Sequence, residues 1–180
     1  MSAEPTCFII SRGGNTRVVV PPVDRRPGSP TGFDETLSAA CIQAVLEAGR
    51  QDLNVCLSLL VEGECPLETR GIVLCAAVEL VCNAVRHGFY QRWRGNIDLV
   101  CRFARPSDVT LDIADDGWGF RLEETKAGSG FLFLRSLGEL SRCAEREVPA
   151  DRTTFLRLRI AAARFADRPP PVLEYAPASA

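Results

Sequence analysis

The sequence predicts an α+β protein, a two-layer sandwich with a mixed, mostly antiparallel sheet and its helices gathered on one face. Three observations lead there. "LNVCLSLLVEG" alternates Leu53, Val55, Leu57, Leu59 and Val61 with Asn54, Cys56, Ser58, Leu60 and Glu62, the period of a strand facing a core. "IDLVCRFA" and "DVTLDIAD" read as two strands joined through the turn signal "RPSD", which makes them antiparallel neighbours. Helical patterns interleave with these strands in the order αβαββαβ, so the helices must cover the sheet.

Taken in order, the elements begin with "CFII" and "RVVV" around "SRGGNT", a hairpin with a glycine turn. "PPVDRRPGSPTG" reads as a linker, which makes residues 1–33 an extension ahead of a domain at 34–160. The first helix, "DETLSAACIQAVLEAG", has an acidic first turn and ends at Gly49. A long helix is expected over about Glu68 to Gly88, a further one over about Ser129 to Cys143, and "TTFLRLRI" is the last strand. Proline-rich residues 161–180 read as a loose tail.

The 180 residues are 46% hydrophobic, enough for one core, and carry a net charge of -2. That balance offers no basic field to a phosphate backbone, so nucleic acid is not an expected partner. The eight cysteines form no CxxC pair, and most lie in apolar runs, as packed thiols of a reduced, cytoplasmic protein do. "MSAEPT" has no export signal, and the longest apolar run is interrupted by Glu79, so no membrane segment is expected.

Polar residues in apolar surroundings mark the candidate site. In "GIVLCAAVELVCNAVRHGF" the helix is apolar nearly all round, the pattern of a buried helix. Glu79 and Asn83 fall on one face at i, i+4, with Arg86 and His87 one turn further on. A buried carboxylate without a partner costs several kcal/mol. Either a neighbour satisfies Glu79 structurally, or the pair is a site, with a carboxylate for proton transfer and an amide oxygen for a hard cation. In "IADDGWGF", Asp115 ends a strand as an acceptor suited to a purine amine. Gly117 and Gly119 permit close backbone approach, although an ordinary Asp-Gly turn has the same letters. "GSGFLFLRSL" opens an apolar helix with glycines, where free N–H groups can cradle phosphate.

These motifs, in this order, resemble those of the GHKL ATP-binding fold of histidine kinases, anti-sigma-factor serine kinases, gyrase-type topoisomerases, Hsp90 and MutL. "ELVCNAVRH" looks like its N-box, "DDGWGF" and "GSGFLFL" its two glycine boxes, and "RTTFLRL" its terminal Gly-Thr-Thr strand, over residues 34–160. The resemblance implies a Bergerat-type sheet that binds ATP with Mg. It makes Glu79 the general base or the orienter of the nucleophile and Asn83 the Mg ligand, with Arg86 and His87 near phosphate. Asp115 would hold the adenine amine and Gly117 and Gly119 would shape the adenine pocket. Gly128 and Gly130 would line the triphosphate and Thr153 would support the adenine side.

A short lid, Arg121 to Ala127, is similar to that of HWE-type histidine kinases. Aligning "EAGRQDLNVCLSLL" with a phosphoacceptor helix would put Glu47 where the histidine belongs, but the alternation from Leu53 argues for a strand. The expectation is a free-standing kinase-type domain acting on a partner protein in trans: a Ser/Thr or His phosphoacceptor, a response regulator, or an anti-anti-sigma or sigma factor, with a homodimer as a further possibility. The alternative is a degenerate ATP-binding module that sequesters a sigma factor or response regulator without phosphotransfer. It is motivated by two departures, Leu132 at a third glycine's place and Arg152 before the threonines, where bulk is expected to narrow the nucleotide site. Trp118 reads as a pocket wall, a lid contact or an exposed partner contact.

Overall fold

The computed structural model describes residues 8–12, 16–20, 24–25, 32–48, 53–105, 108–119, 129–142 and 152–161. Its elements run β1 (Phe8–Arg12), β2 (Thr16–Val20), β3 (Asp24–Arg25), α1 (Phe33–Ala48), β4 (Asn54–Gly63), α2 (Arg70–Asn83), β5 (Arg94–Arg105), β6 (Asp108–Asp115), α3 (Ser129–Leu137), β7 (Gly138–Arg142) and β8 (Thr154–Ala161). One eight-stranded sheet takes the order β1-β2-β4-β5-β6-β8-β7, with β3 beside β4. It is mixed: β2, β3 and β5 run parallel to β4, and the other pairs are antiparallel. The α+β sandwich expected from the sequence is thus the observed architecture.

Alternation decides which face of the sheet is covered. Val55, Leu57, Leu59 and Val61 of β4 are buried, as are Ile97, Leu99, Cys101 and Phe103 of β5. Val109, Leu111 and Ile113 of β6 and Leu156, Leu158 and Ile160 of β8 continue the same face. Against it pack Leu37, Cys41, Ala44 and Val45 of α1 and Ile72, Val73, Ala76, Ala77, Leu80 and Val81 of α2. The helical run Leu67–Gly88 is long and apolar enough to cross a membrane, with mean hydropathy 1.3 over its most apolar 18 residues, yet 61% of that stretch is buried here. The sheet, rather than lipid, explains its composition.

The opposite face is polar. Asp112, buried in its centre, accepts from Arg157 Nε at 2.7 Å, from Arg157 Nη2 at 2.9 Å and from Arg102 Nη1. Arg102 Nε in turn donates to Glu62 at 3.0 Å. Neighbouring strands contribute one charge each, so the network follows from register: Arg102 lies near Asp112 across β5 and β6, and Asp112 is opposite Arg157 across β6 and β8.

Several boundaries differ from the sequence reading. The expected hairpin is present, but β2 pairs with β4, so it extends the domain's own sheet instead of standing ahead of it. Asp24–Arg25 within the supposed linker forms a short strand on β4. The last helix stops at Leu137, and Gly138–Arg142, expected as helix, is strand β7. Gly138 makes the change of direction possible: a Cβ there would lie 1.9 Å from the Arg159 carbonyl oxygen. Finally, α2 gives way at Ala84–Gly88 to a π turn, closed by Phe89 N–H donating to the Ala84 carbonyl at 3.2 Å.

Of the cysteines, Cys41, Cys65, Cys82 and Cys101 are buried free thiols, as the apolar runs imply. Burial pushes the Cys41 thiol up to about 12, so it packs as a hydrophobe. Cys75 is exposed and Cys56 half-buried, so not every cysteine in an apolar run is core.

Candidate functional site

Between α2, the π turn, the end of β6, the start of β8 and α3 lies a hollow lined by Leu80, Asn83, Ala84, His87, Gly88, Ile113, Asp115, Phe131, Leu134, Thr154 and Leu156. Its walls are apolar and its polar groups few, the makeup of a small-molecule site. The hollow is small, with about 20 Å³ open to the centre of a water molecule.

Asp115 forms the inner end. Its buried carboxylate accepts the Gly117 N–H at 2.8 Å, an Asx-type bond that folds the glycine turn back over the strand end. Burial raises its pKa from 3.8 to about 6, against the pull of the Gly117 N–H and of the nearby Thr154 hydroxyl. Asp116 works outside the hollow, where its two carboxylate oxygens accept Asn96 N at 2.8 Å and Asn96 Nδ2 at 2.6 Å and so pin the turn to β5.

Gly117 is required where it stands. A Cβ there would come within 2.6 Å of the Gly88 backbone, while Trp118 N–H donates to the Gly88 carbonyl at 2.9 Å. The turn after β6 and the π turn after α2 are therefore in backbone contact, and together they close one end of the hollow. Gly119 has φ +84°, which only glycine adopts without strain.

Thr153 does not line the hollow. Its N–H donates to the Asp115 carbonyl at 2.9 Å and its hydroxyl to the Gly117 carbonyl at 2.6 Å, so it braces the turn from behind. Thr154, which the sequence reading passed over, faces in. Its buried hydroxyl is near enough to the Asp115 carboxylate to temper that group's pKa, yet it has no partner in hydrogen-bonding geometry. Period-two parity with Leu156 and Leu158 was the signal that places it on the inner face.

At the other end, Glu79 is buried and Asn83 Nδ2 donates to its Oε1 at 3.1 Å. This bond engages the amide nitrogen and leaves the amide oxygen for a cation. Gly130, in the first turn of α3, rests on the same carboxylate: a Cβ there would lie 1.6 Å from Glu79 Oε1. His87 is exposed at the rim, and Arg86 is exposed and does not line the hollow. Gly128 and the lid Arg121 to Ala127 fall outside the described residues.

The two departures do not narrow the hollow as expected. Leu132 points to solvent, 56% exposed, and Arg152 reaches the opposite face of the sheet, where its Nε donates to Asp98 Oδ2 at 2.6 Å. Phe131, which the sequence reading did not single out, lines the hollow from α3.

Comparison with known proteins gives a match in structure alone. No family model matches the chain, and no curated protein does. Among solved structures, the histidine kinase domain of the Erythrobacter litoralis EL346 blue-light activated histidine kinase aligns at TM-score 0.55 and 20% identity, covering 75% of this chain and 65% of that one. The fold is that of a histidine-kinase domain. A longer chain of the same kinase aligns at TM-score 0.56 and 18% identity, covering 73% of this chain and 42% of that one. The present chain therefore spans less than two thirds of either. In this fold Asn83 and Asp115 line one hollow, while Glu79 is bonded to Asn83, Gly117 to Asp115, and Gly130 lies against Glu79.

Proposed function

We propose that this chain is a Mg-ATP-binding kinase domain of bacterial signal transduction, which passes the γ-phosphoryl group to a hydroxyl or imidazole on a partner protein. The observation that carries the proposal is the pairing, inside one apolar hollow, of the Asp115 carboxylate with the orphaned Thr154 hydroxyl. An adenine ring satisfies both, as donor through its exocyclic amine and as acceptor through a ring nitrogen.

The residues present fit ATP with its metal. Asp115 and Thr154 would hold the base between Ile113, Leu156 and Phe131. Asn83 would give its amide oxygen to Mg²⁺, which takes few protein ligands and several from phosphate and water. The first turn of α3, at Ser129 and Gly130, presents free N–H groups and the positive end of the helix dipole to phosphate. When bound, ATP supplies the transferable phosphoryl group and a leaving group whose charge the metal neutralises.

Glu79 is the proton acceptor in this reading. With Oε1 engaged by Asn83, Oε2 is the oxygen that accepts a proton from the partner's attacking group. Because Gly130 lies on that carboxylate, outward movement of α3 would open the base and the ring pocket together.

Calorimetry with Mg-ATP on the wild type and on Asp115→Ala tests the reading. Binding in the wild type and its loss in the variant is the expected result, and a wild type that binds no nucleotide sinks it. With a partner in hand, Glu79→Ala is expected to bind ATP and fail to transfer. Acid-stable phosphate on the partner means a serine or threonine acceptor, and acid-labile phosphate a histidine. The small size of the hollow favours one rival reading, a regulatory module that binds without turnover, which transfer by the wild type would exclude.

A further inference from the structure

Arg135 stands in the last turn of α3, whose sequence SGFLFLRSL carries one cation and no acid. A guanidinium so placed is ordinarily explained by the negative end of its own helix, whose last carbonyls it can meet. Here the side chain runs back toward the helix N-terminus instead, as long helical side chains can. Its guanidinium carbon lies 5.3 Å from the centroid of the Phe131 ring, four residues back and next in sequence to Gly130. Arg135 is exposed, so the attraction between cation and ring, not burial, accounts for the contact.

Phe131 joins that cation to the hollow. The ring, 8% exposed, is one of the hollow's walls, while Arg135 itself lines no part of it. Phe133, Leu134 and Leu137 of the same helix belong to the continuous core of the described residues, and Phe131 does not. The ring thus lines the hollow and, at the same time, holds a guanidinium at the end of α3 where phosphate is expected.

Charge at this end of the helix gives the guanidinium a task. Gly130, whose N–H is one of those offered to phosphate, rests on the Glu79 carboxylate. The Asn83 amide that donates to Oε1 is neutral and leaves the negative charge of Glu79 in place. A phosphate at this turn therefore meets a carboxylate at short range, where like charges repel strongly. Mg²⁺ offsets part of that repulsion. A guanidinium already turned toward the same end offsets more, through charge-assisted hydrogen bonds to phosphate oxygens.

We propose that Arg135 is the residue by which this site tells a phosphorylated nucleotide from a bare nucleoside. With no ligand its guanidinium rests on the Phe131 ring, and on binding it passes to the phosphates at Ser129 and Gly130. The inference rests on the nucleotide reading of the hollow and adds to it a selectivity residue to which the sequence reading gave no role.

Titration of the purified chain with Mg-ATP and with adenosine, followed by NMR so that weak binding is measured, tests it. Arg135→Gln is expected to bind Mg-ATP about tenfold more weakly than the wild type, the size of one charge-assisted hydrogen bond, and to bind adenosine equally well. Arg135→Lys keeps the charge and is expected to recover most of the loss. In a Phe131→Leu background, where the cation has no ring to rest on, Arg135→Gln is expected to cost about twofold or less. Unchanged Mg-ATP affinity in Arg135→Gln overturns the proposal. An equal loss for Mg-ATP and adenosine overturns it too, because Arg135 would then act only as a brace for Phe131. A wild type that binds neither ligand overturns the nucleotide reading itself, and thermal unfolding of Arg135→Gln, expected at the wild-type temperature, separates all of these results from misfolding.

Discussion

Gly130 lies against the carboxylate of Glu79, so close that any side chain at residue 130 would occupy the place of Oε1. The buried acid of α2 thereby sets how near the first turn of α3 can come. It also ties the Glu79 carboxylate to the helix whose Phe131 and Leu134 line the hollow.

The contact predicts a coupled pair of substitutions. Gly130→Ala is expected to destabilise the protein by about 1 to 3 kcal/mol, the usual cost of overpacking, despite alanine's better helix propensity. In a Glu79→Ala background most of that cost should vanish. A double-mutant cycle by urea unfolding measures the coupling, and a cost that persists unchanged would place the clash elsewhere.

Asp115 predicts a pH dependence. Its carboxyl titrates at 3.8 when unfolded and at about 6 when folded, so between those values the native state holds the extra proton. Stability contributed by this group is therefore full below about pH 4 and is lost as pH rises through about 6. Asp115→Asn should flatten that part of the stability profile and leave the variant on the order of 2 kcal/mol more stable than wild type at pH 7. Thermal unfolding of both proteins across pH 4 to 8 checks the sign.

Arg152 predicts a modest structural role in place of the steric one its position suggested. Its half-buried pair with Asp98 spans β6 and anchors the start of β8 next to Thr153. Arg152→Gly should cost about 1 kcal/mol and should not enlarge the ring pocket. Equal loss of stability in Arg152→Gly and Asp98→Asn, with no additive loss in the double variant, is the expected pattern.

On the opposite face of the sheet, Asp112→Ala would leave Arg102 and Arg157 facing each other without the carboxylate between them. A loss of about 3 kcal/mol is expected, because the remaining charges are only partly exposed. Chemical unfolding of Asp112→Ala, with Asp112→Asn as the milder comparison, measures it.

Much of this was legible in the residues because local chemistry set it. The alternation from Leu53 to Val61 makes a strand in any context that buries one face, and β4 is that strand, so α1, which carries Glu47 near its end, does not continue through this segment. Glu79 and Asn83 announced themselves because a carboxylate in an apolar helix must be satisfied, and i, i+4 spacing provides the hydrogen bond. Asp115 and Gly117 were readable for a similar reason: the Asp-x-Gly turn closes on itself through one bond.

Other features needed the assembled molecule. The Gly138–Arg142 segment has helical company in sequence, and it became β7 because β8 offers an unpaired edge and glycine lets the backbones meet. The directions of Arg152, Leu132 and Phe131 depend on which strand and helix lie opposite, and no local pattern records that. The same is true of Trp118, exposed because its indole bonds to Tyr90 across the fold. Sequence by itself determined the elements, the buried acids and the glycine turns, all fixed by interactions a few residues long. Only the tertiary structure decided that Thr154 and Phe131 shape the hollow and that two tryptophans face solvent, because those outcomes depend on contacts between residues far apart in the chain.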